Sequence, residues 1–301
     1  MSLLAIILVV VSAFLHAGWN LLSKSNTASG PAFFLSSATA AALLLSPFLI
    51  WYFNIVGLAA MPTQFWYLLV ISGVAQMIYL LGLGFAYKQA DIGVVYPIAR
   101  ALPVLMVGVA TVLLGYSLTV FTWFGFLLIT IGCLFVPLES FSQLNVRNYV
   151  HLGVVWAVIA AIGTAGYSVV DKEALLVLDQ TFHSKVSDVS SAIFYLGLQF
   201  WSISLCFVIY LTLSKSWVDI VEAWQIRRSA TIAGIMMSTT YGLVLLAMTM
   251  TENVSYVVAL RQLSIVIGMV LGVVFLSERL LLTRVFGSVM ILLGLVLVAL
   301  R

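Results

Sequence analysis

Two stretches of the chain hold the residues best suited to chemistry. Residues 91–104 read DIGVVYPIARALPV, and residues 252–265, 161 positions later, read ENVSYVVALRQLSI. Each opens on an acid, runs into apolar sequence and places an arginine partway in, Arg100 and Arg261. A charge at that depth in lipid costs roughly 2.5–3.5 kcal/mol even on lenient insertion scales. A guanidinium there stays protonated and donates two parallel hydrogen bonds to a carboxylate or phosphate. The pair therefore suits the anionic part of a substrate, with Tyr96 one turn before Arg100 and Gln262 beside Arg261 as orienting groups. The competing use is structural. Pro97 and Pro103 free carbonyls that an arginine could bind, and Asp91 or Glu252 could pair with it.

Further polar residues interrupt apolar runs elsewhere: Gln76 and Tyr79, the run Ser238–Thr239–Thr240–Tyr241, and Trp19 with Asn20. They join the arginines as the expected substrate-binding set, because polar groups inside spans must face protein or a water-filled cavity. His16 lies about two-thirds of the way through the first apolar stretch. An unperturbed histidine titrates near pH 6.5, roughly, so it is the candidate carrier of a coupled proton. Its alternative use is a hydrogen bond within the bundle. An enzyme is not expected: the chain has no HExxH, no G-x-S-x-G and no paired carboxylates at helical spacing within a span. Cys133 and Cys206 stand singly in apolar sequence, so neither a metal site nor a disulfide is expected, and no cofactor.

The elements that must hold these residues are membrane helices. Sixty-three per cent of residues are hydrophobic, 8% are charged and mean hydropathy is +1.20, a surface no water-soluble fold could cover. The 301 residues accommodate about ten spans of roughly 20 residues each. These are expected at 3–23, 31–53, 63–86, 93–114, 120–138, 150–170, 189–213, 229–250, 254–276 and 282–300. Asp91 is expected to cap the fourth. The sixth is drawn to end before Asp171–Lys172–Glu173. The net charge of +3 is small and scattered, which excludes a nucleic-acid footprint.

The two halves repeat. HAGWNLLSK at 16–24 matches TAGYSVVDK at 164–172, and Phe33–Phe34–Leu35 match Phe194–Tyr195–Leu196. Gly125 and Gly132 in the fifth span reappear as Gly287 and Gly294 in the tenth, seven apart in both, a stripe for close helix packing. The reading is an all-α integral membrane protein of ten transmembrane helices, with repeats at 1–138 and 150–301 joined by a connecting loop at 139–149. Five spans per repeat force the second copy to insert upside down, the architecture of many secondary transporters. Loop lysines and arginines place the termini outside by the positive-inside rule, eight against three.

With HAGWNLLSK, AYKQADIGVVYPIARALPVL, LLGYSLT and SERLLLTRVFGSVMILLGLVLV in view, the chain resembles the drug/metabolite transporter superfamily in its EamA-like ten-helix branch. The resemblance covers nearly the whole chain. It implies an internally duplicated basket of helices and secondary transport, often export, of small metabolites such as amino acids, with both termini in the cytoplasm. Two residues depart from the pattern: Tyr116 stands where a glutamate is usual, and the first span lacks the acid of four-helix multidrug relatives. The functional expectation is an exporter of a small zwitterionic or anionic metabolite, working by alternating access. A multidrug or cationic compound exporter and a lipid-linked sugar or phosphate flippase are the alternatives. The expected partners are a small-molecule substrate, the lipid bilayer and a coupling proton, with no nucleic acid, in a monomer or homodimer. The expected place is a bacterial inner membrane.

Overall fold

A computed structural model describes residues 2–25, 29–89, 92–143, 152–276 and 279–299. The described residues are almost wholly helical: α1 (Leu3–Ser25), α2 (Gly30–Val56), α3 (Thr63–Gln89), α4 (Ile92–Leu113), α5 (Val120–Phe135), α6 (Leu152–Phe182), α7 (Asp188–Leu213), α8 (Trp217–Gln225), α9 (Arg227–Thr249), α10 (Val254–Leu260), α11 (Leu263–Leu276) and α12 (Leu282–Ala299). Six stretches are long and apolar enough to cross a membrane, Gly30–Val56, Thr63–Ala86, Leu152–Phe182, Asp188–Leu213, Arg227–Thr249 and Leu282–Ala299. Four shorter apolar stretches, Leu3–His16, Ile98–Leu113, Val120–Phe135 and Val254–Val270, accompany them. Large apolar side chains face outward all round, among them Leu44, Ile50, Val70, Leu113, Phe124, Leu205 and Leu293. Such a face is stable against lipid and not against water.

Helix pairing follows small residues. A Cβ on Gly125 would lie 2.7 Å from the Gly294 carbonyl, and one on Gly132 would lie 2.6 Å from the Gly287 carbonyl. The glycine stripes of α5 and α12 are thus pressed together antiparallel, backbone to backbone. α3 meets α6 in the same way, with Gly82 against Ala160 and Gly163 against Tyr79. α1 packs on α9, where Ser12 Oγ donates to the Thr240 carbonyl at 2.8 Å, and α2 packs on α7. Tyr52 of α2 stacks on Phe194 of α7 with ring centroids 3.9 Å apart. α4 packs on α6 and on α10.

Four expectations about elements need correction. The sixth span does not stop at 170: α6 runs on to Phe182, so Asp171 and Lys172 are buried within the helix. The ninth span is not one helix but α10 and α11, interrupted at Arg261–Gln262. There the Ser264 N–H, rather than that of Ile265, donates to the Arg261 carbonyl, and Ile265 turns to Gln262. One turn is wound more tightly as a result. The stretch after the seventh span, read as a loop, contains α8. Its Asp219 and Glu222 accept from Ser29 Oγ at 2.7 Å and Ser29 N at 3.2 Å, at the start of α2. Finally, Lys172 is not a loop charge: its Nζ donates to the carbonyls of Met248 at 2.9 Å and Thr251 at 2.6 Å, where α9 ends. A cation suits the unsatisfied carbonyls of a helix C-terminus.

Candidate substrate site

The interior holds two adjoining cavities. The larger leaves about 50 Å³ of free volume between α1, α2, α3, α6, α7 and α9, and the smaller about 10 Å³ between α3, α4, α6 and the α10–α11 interruption. Tyr79, Tyr167 and Arg261 line both and so form the wall between them. The larger is mostly apolar, with Leu80, Phe200, Ile203 and Met237, and has His16, Gln76, Thr240 and Tyr241 as its other polar groups. The smaller adds Arg100, Thr164 and Gln262.

The aromatic wall is continuous. Ring centroids lie 5.9 Å apart for Tyr79 and Tyr167, and 5.7 Å apart for Tyr167 and Tyr241. The Arg261 guanidinium sits over the Tyr241 ring at 5.6 Å, and its Nη1 donates to Tyr167 OH at a long 3.5 Å. That attraction of a cation for a ring face holds the group without using up its donors. Arg100 is held differently. Its Nη2 donates to Ser264 Oγ at 2.6 Å and to the Arg261 carbonyl at 3.5 Å, and its Nη1 meets His16 Nε2 at 3.4 Å. A guanidinium can only donate, so His16 Nε2 accepts. Several buried polar atoms along the two cavities have no hydrogen-bond partner: Gln76 Nε2, Thr240 Oγ1, Thr164 Oγ1 and Gln262 Oε1.

Of the residues singled out in the sequence, His16, Gln76, Tyr79, Tyr241 and Arg261 meet at the larger cavity, and Arg100 and Gln262 at the smaller. The side chains of Trp19, Asn20 and Tyr96 lie outside the described residues, as do Asp91 and residues 144–149 of the connecting segment. Sequence reasoning missed Tyr167, Thr164 and Asp171. Tyr167 had a signal, since it matches Trp19 in the repeat. Asp171 is fully buried behind the cavity wall. Ser72 Oγ and Tyr195 OH, the latter at 2.7 Å, donate to its Oδ1; Gln199 Nε2, at 2.8 Å, and Tyr241 OH donate to its Oδ2.

A multi-pass bundle with outward apolar faces is the form of an integral membrane protein. The chain belongs to the EamA-like transporter family through its second half, where residues 151–300 match the sequence model of that family. No curated protein matches the chain significantly. Among solved structures 27 chains match. One, described only as "Crystal structure of protein", has a TM-score of 0.63 at 17% identity, over 98% of this chain and 97% of its own. That likeness is one of fold, over nearly the whole of both chains.

Proposed function

We propose that this protein is a secondary active carrier, an exporter, for a small zwitterionic or anionic metabolite such as an amino acid. It works by alternating access between two inverted five-helix halves, 1–138 and 150–301, in a bacterial inner membrane. The observation that carries the reading is Arg261. This cation lies at the wall of the larger cavity, held by the Tyr241 ring face and one long hydrogen bond. A pocket with this lining suits a ligand with one charged end and an apolar body.

Inversion is supported by reciprocal packing. Gly125 meets Gly294 and Gly132 meets Gly287, so each stripe presents to its counterpart what the counterpart presents to it. Such self-complementary contact belongs to a twofold relation. The pairs α3 with α6 and α1 with α9 exchange under the same relation, and α2 with α7 maps onto itself. The six long spans and four shorter apolar stretches then make five per half. His16 reaches the cavity, yet its Nε2 accepts from Arg100; protonating it would set two cations about 3.4 Å apart. The test of the carrier reading is a thermal-shift screen of the purified protein against metabolites sorted by charge, followed by flux in proteoliposomes. A ligand that binds only the folded state raises the melting temperature by mass action. Carboxylate-bearing ligands are expected to do so; stabilisation by organic cations alone would overturn the assignment in favour of a cation exporter.

A further inference from the structure

Behind the cavity wall, Asp171 is held by neutral groups alone. It is fully buried near the middle of α6, and all four donors around it are neutral and come from three other helices. Its own helix supplies no counter-charge: Lys172 is committed to the carbonyls that end α9, and Tyr167 faces Arg261. From α3 it meets Ser72, from α7 Tyr195 and Gln199, and from α9 Tyr241. Arg100 of α4 bonds Ser264 and His16, and Arg261 lies over the Tyr241 ring.

We infer that Asp171 is a proton-binding site, and that its proton controls the orientation of the Tyr241 hydroxyl in the cavity wall. Two donors on each oxygen fill a carboxylate. A proton arriving from the cavity on Oδ2 becomes a fifth hydrogen, so one hydroxyl must turn its own hydrogen away and accept from the acid instead. Ser72 Oγ is pinned by Gln199 Nε2 at 2.8 Å, and Tyr195 is fully buried against Phe65. Of the four, only Tyr241 lines the cavity. Its hydrogen turns toward the cavity and its oxygen accepts from the acid, so loading Asp171 changes the hydroxyl presented beside Arg261 and with it the anion site. No other group changes protonation. The inference rests on the carrier reading for its use, and its test does not.

The test is infrared difference spectroscopy of the full-length protein in lipid during a pH titration, with protons as the probe. Wild type should show, on acidification, the carbonyl stretch of a carboxylic acid shielded from water, shifted by ¹³C-labelled aspartate. The band should vanish in Asp171→Asn, whose fold is checked by its melting curve. A tyrosine C–O–H band should change with the same midpoint, and be lost in Tyr241→Phe while the acid band persists at a shifted midpoint. Absence of the band in wild type, or its survival in Asp171→Asn, overturns the inference. So does a tyrosine change indifferent to Asp171→Asn. A band abolished by sodium against choline overturns it in favour of a metal-cation site. Bands as expected in a protein that carries no solute would support the proton site and remove only the carrier reading.

Discussion

Arg100 and Arg261 stand at matching places in the two halves and do different work. Arg100 sits within a continuous helix and bonds the other motif, Ser264 Oγ and the Arg261 carbonyl, at the turn where α10 gives way to α11. Arg261 sits at that interruption and turns its head to the tyrosines of the cavity. One arginine stabilises the irregular turn that presents the other. A repeat equates backbone positions, while the neighbours decide what a side chain does, and here one copy of a duplicated feature supports its twin.

The largest expected effect separates these roles. Arg261→Lys keeps the charge and removes the planar fork and its fit over the Tyr241 ring. Affinity for a carboxylate ligand should fall about 10–100-fold, the loss of roughly 1.5–3 kcal/mol in a charge-assisted bidentate contact. The melting temperature without ligand should hardly change. Titration calorimetry with the ligand from the thermal-shift screen measures this. Equal affinity in the variant would make Arg261 a scaffold residue and remove the contrast.

Arg100→Gln should show the reverse pattern. Its partners, Ser264 Oγ and the Arg261 carbonyl, are in the interior and lose a donor, so unfolding stability should drop by about 1–3 kcal/mol. Ligand affinity should change less than in Arg261→Lys, because Arg261 keeps its own contacts. Denaturant unfolding in detergent reads the first and calorimetry the second. A larger loss of affinity in Arg100→Gln than in Arg261→Lys would reverse the assignment.

How much of this was legible in the chain depended on whether a feature was local. The glycine stripes of α5 and α12 were read from spacing alone, because backbone approach requires a missing Cβ and little else. The cavity members His16, Gln76, Tyr79, Tyr241, Arg261 and Gln262 were legible because polarity inside an apolar run has few uses. Asp171 was not. A helix end was placed before the charged triplet since burying charge is costly, and what offsets the cost, Ser72, Tyr195, Gln199 and Tyr241, is distributed over three other helices. The interruption at Arg261 was hidden for a like reason. No proline or glycine marks it, and it is stabilised by the Ser264 hydroxyl, which donates to the Arg261 carbonyl at 2.7 Å, and by Arg100 from another helix.

A smaller effect is expected at the wall itself. Tyr167→Phe removes the hydroxyl that accepts from Arg261 Nη1 at 3.5 Å and leaves the ring stack with Tyr79 and Tyr241 in place. A hydrogen bond that long is weak. Affinity should fall no more than about fivefold, roughly 1 kcal/mol, by the same calorimetry. A loss as large as that of Arg261→Lys would mean that the hydroxyl, and not the Tyr241 ring face, holds the guanidinium.

The smallest and sharpest test concerns how Arg100 supports the turn. Ser264 Oγ accepts from Arg100 Nη2 at 2.6 Å and donates to the Arg261 carbonyl at 2.7 Å, so it links the two arginines through one hydroxyl. Ser264→Ala removes that link and little volume. It should cost about 1 kcal/mol, close to the mean net worth of a hydrogen bond. The carbonyl also accepts the Ser264 N–H at 3.2 Å, so the tight turn itself should persist. If Arg100 acts on the turn through this hydroxyl, the double variant Arg100→Gln/Ser264→Ala should lose less stability than the two single losses combined, by about 0.5–1 kcal/mol. Strict additivity would mean that Arg100 and Ser264 act separately. The arginine of the first half would then hold that of the second through the carbonyl alone.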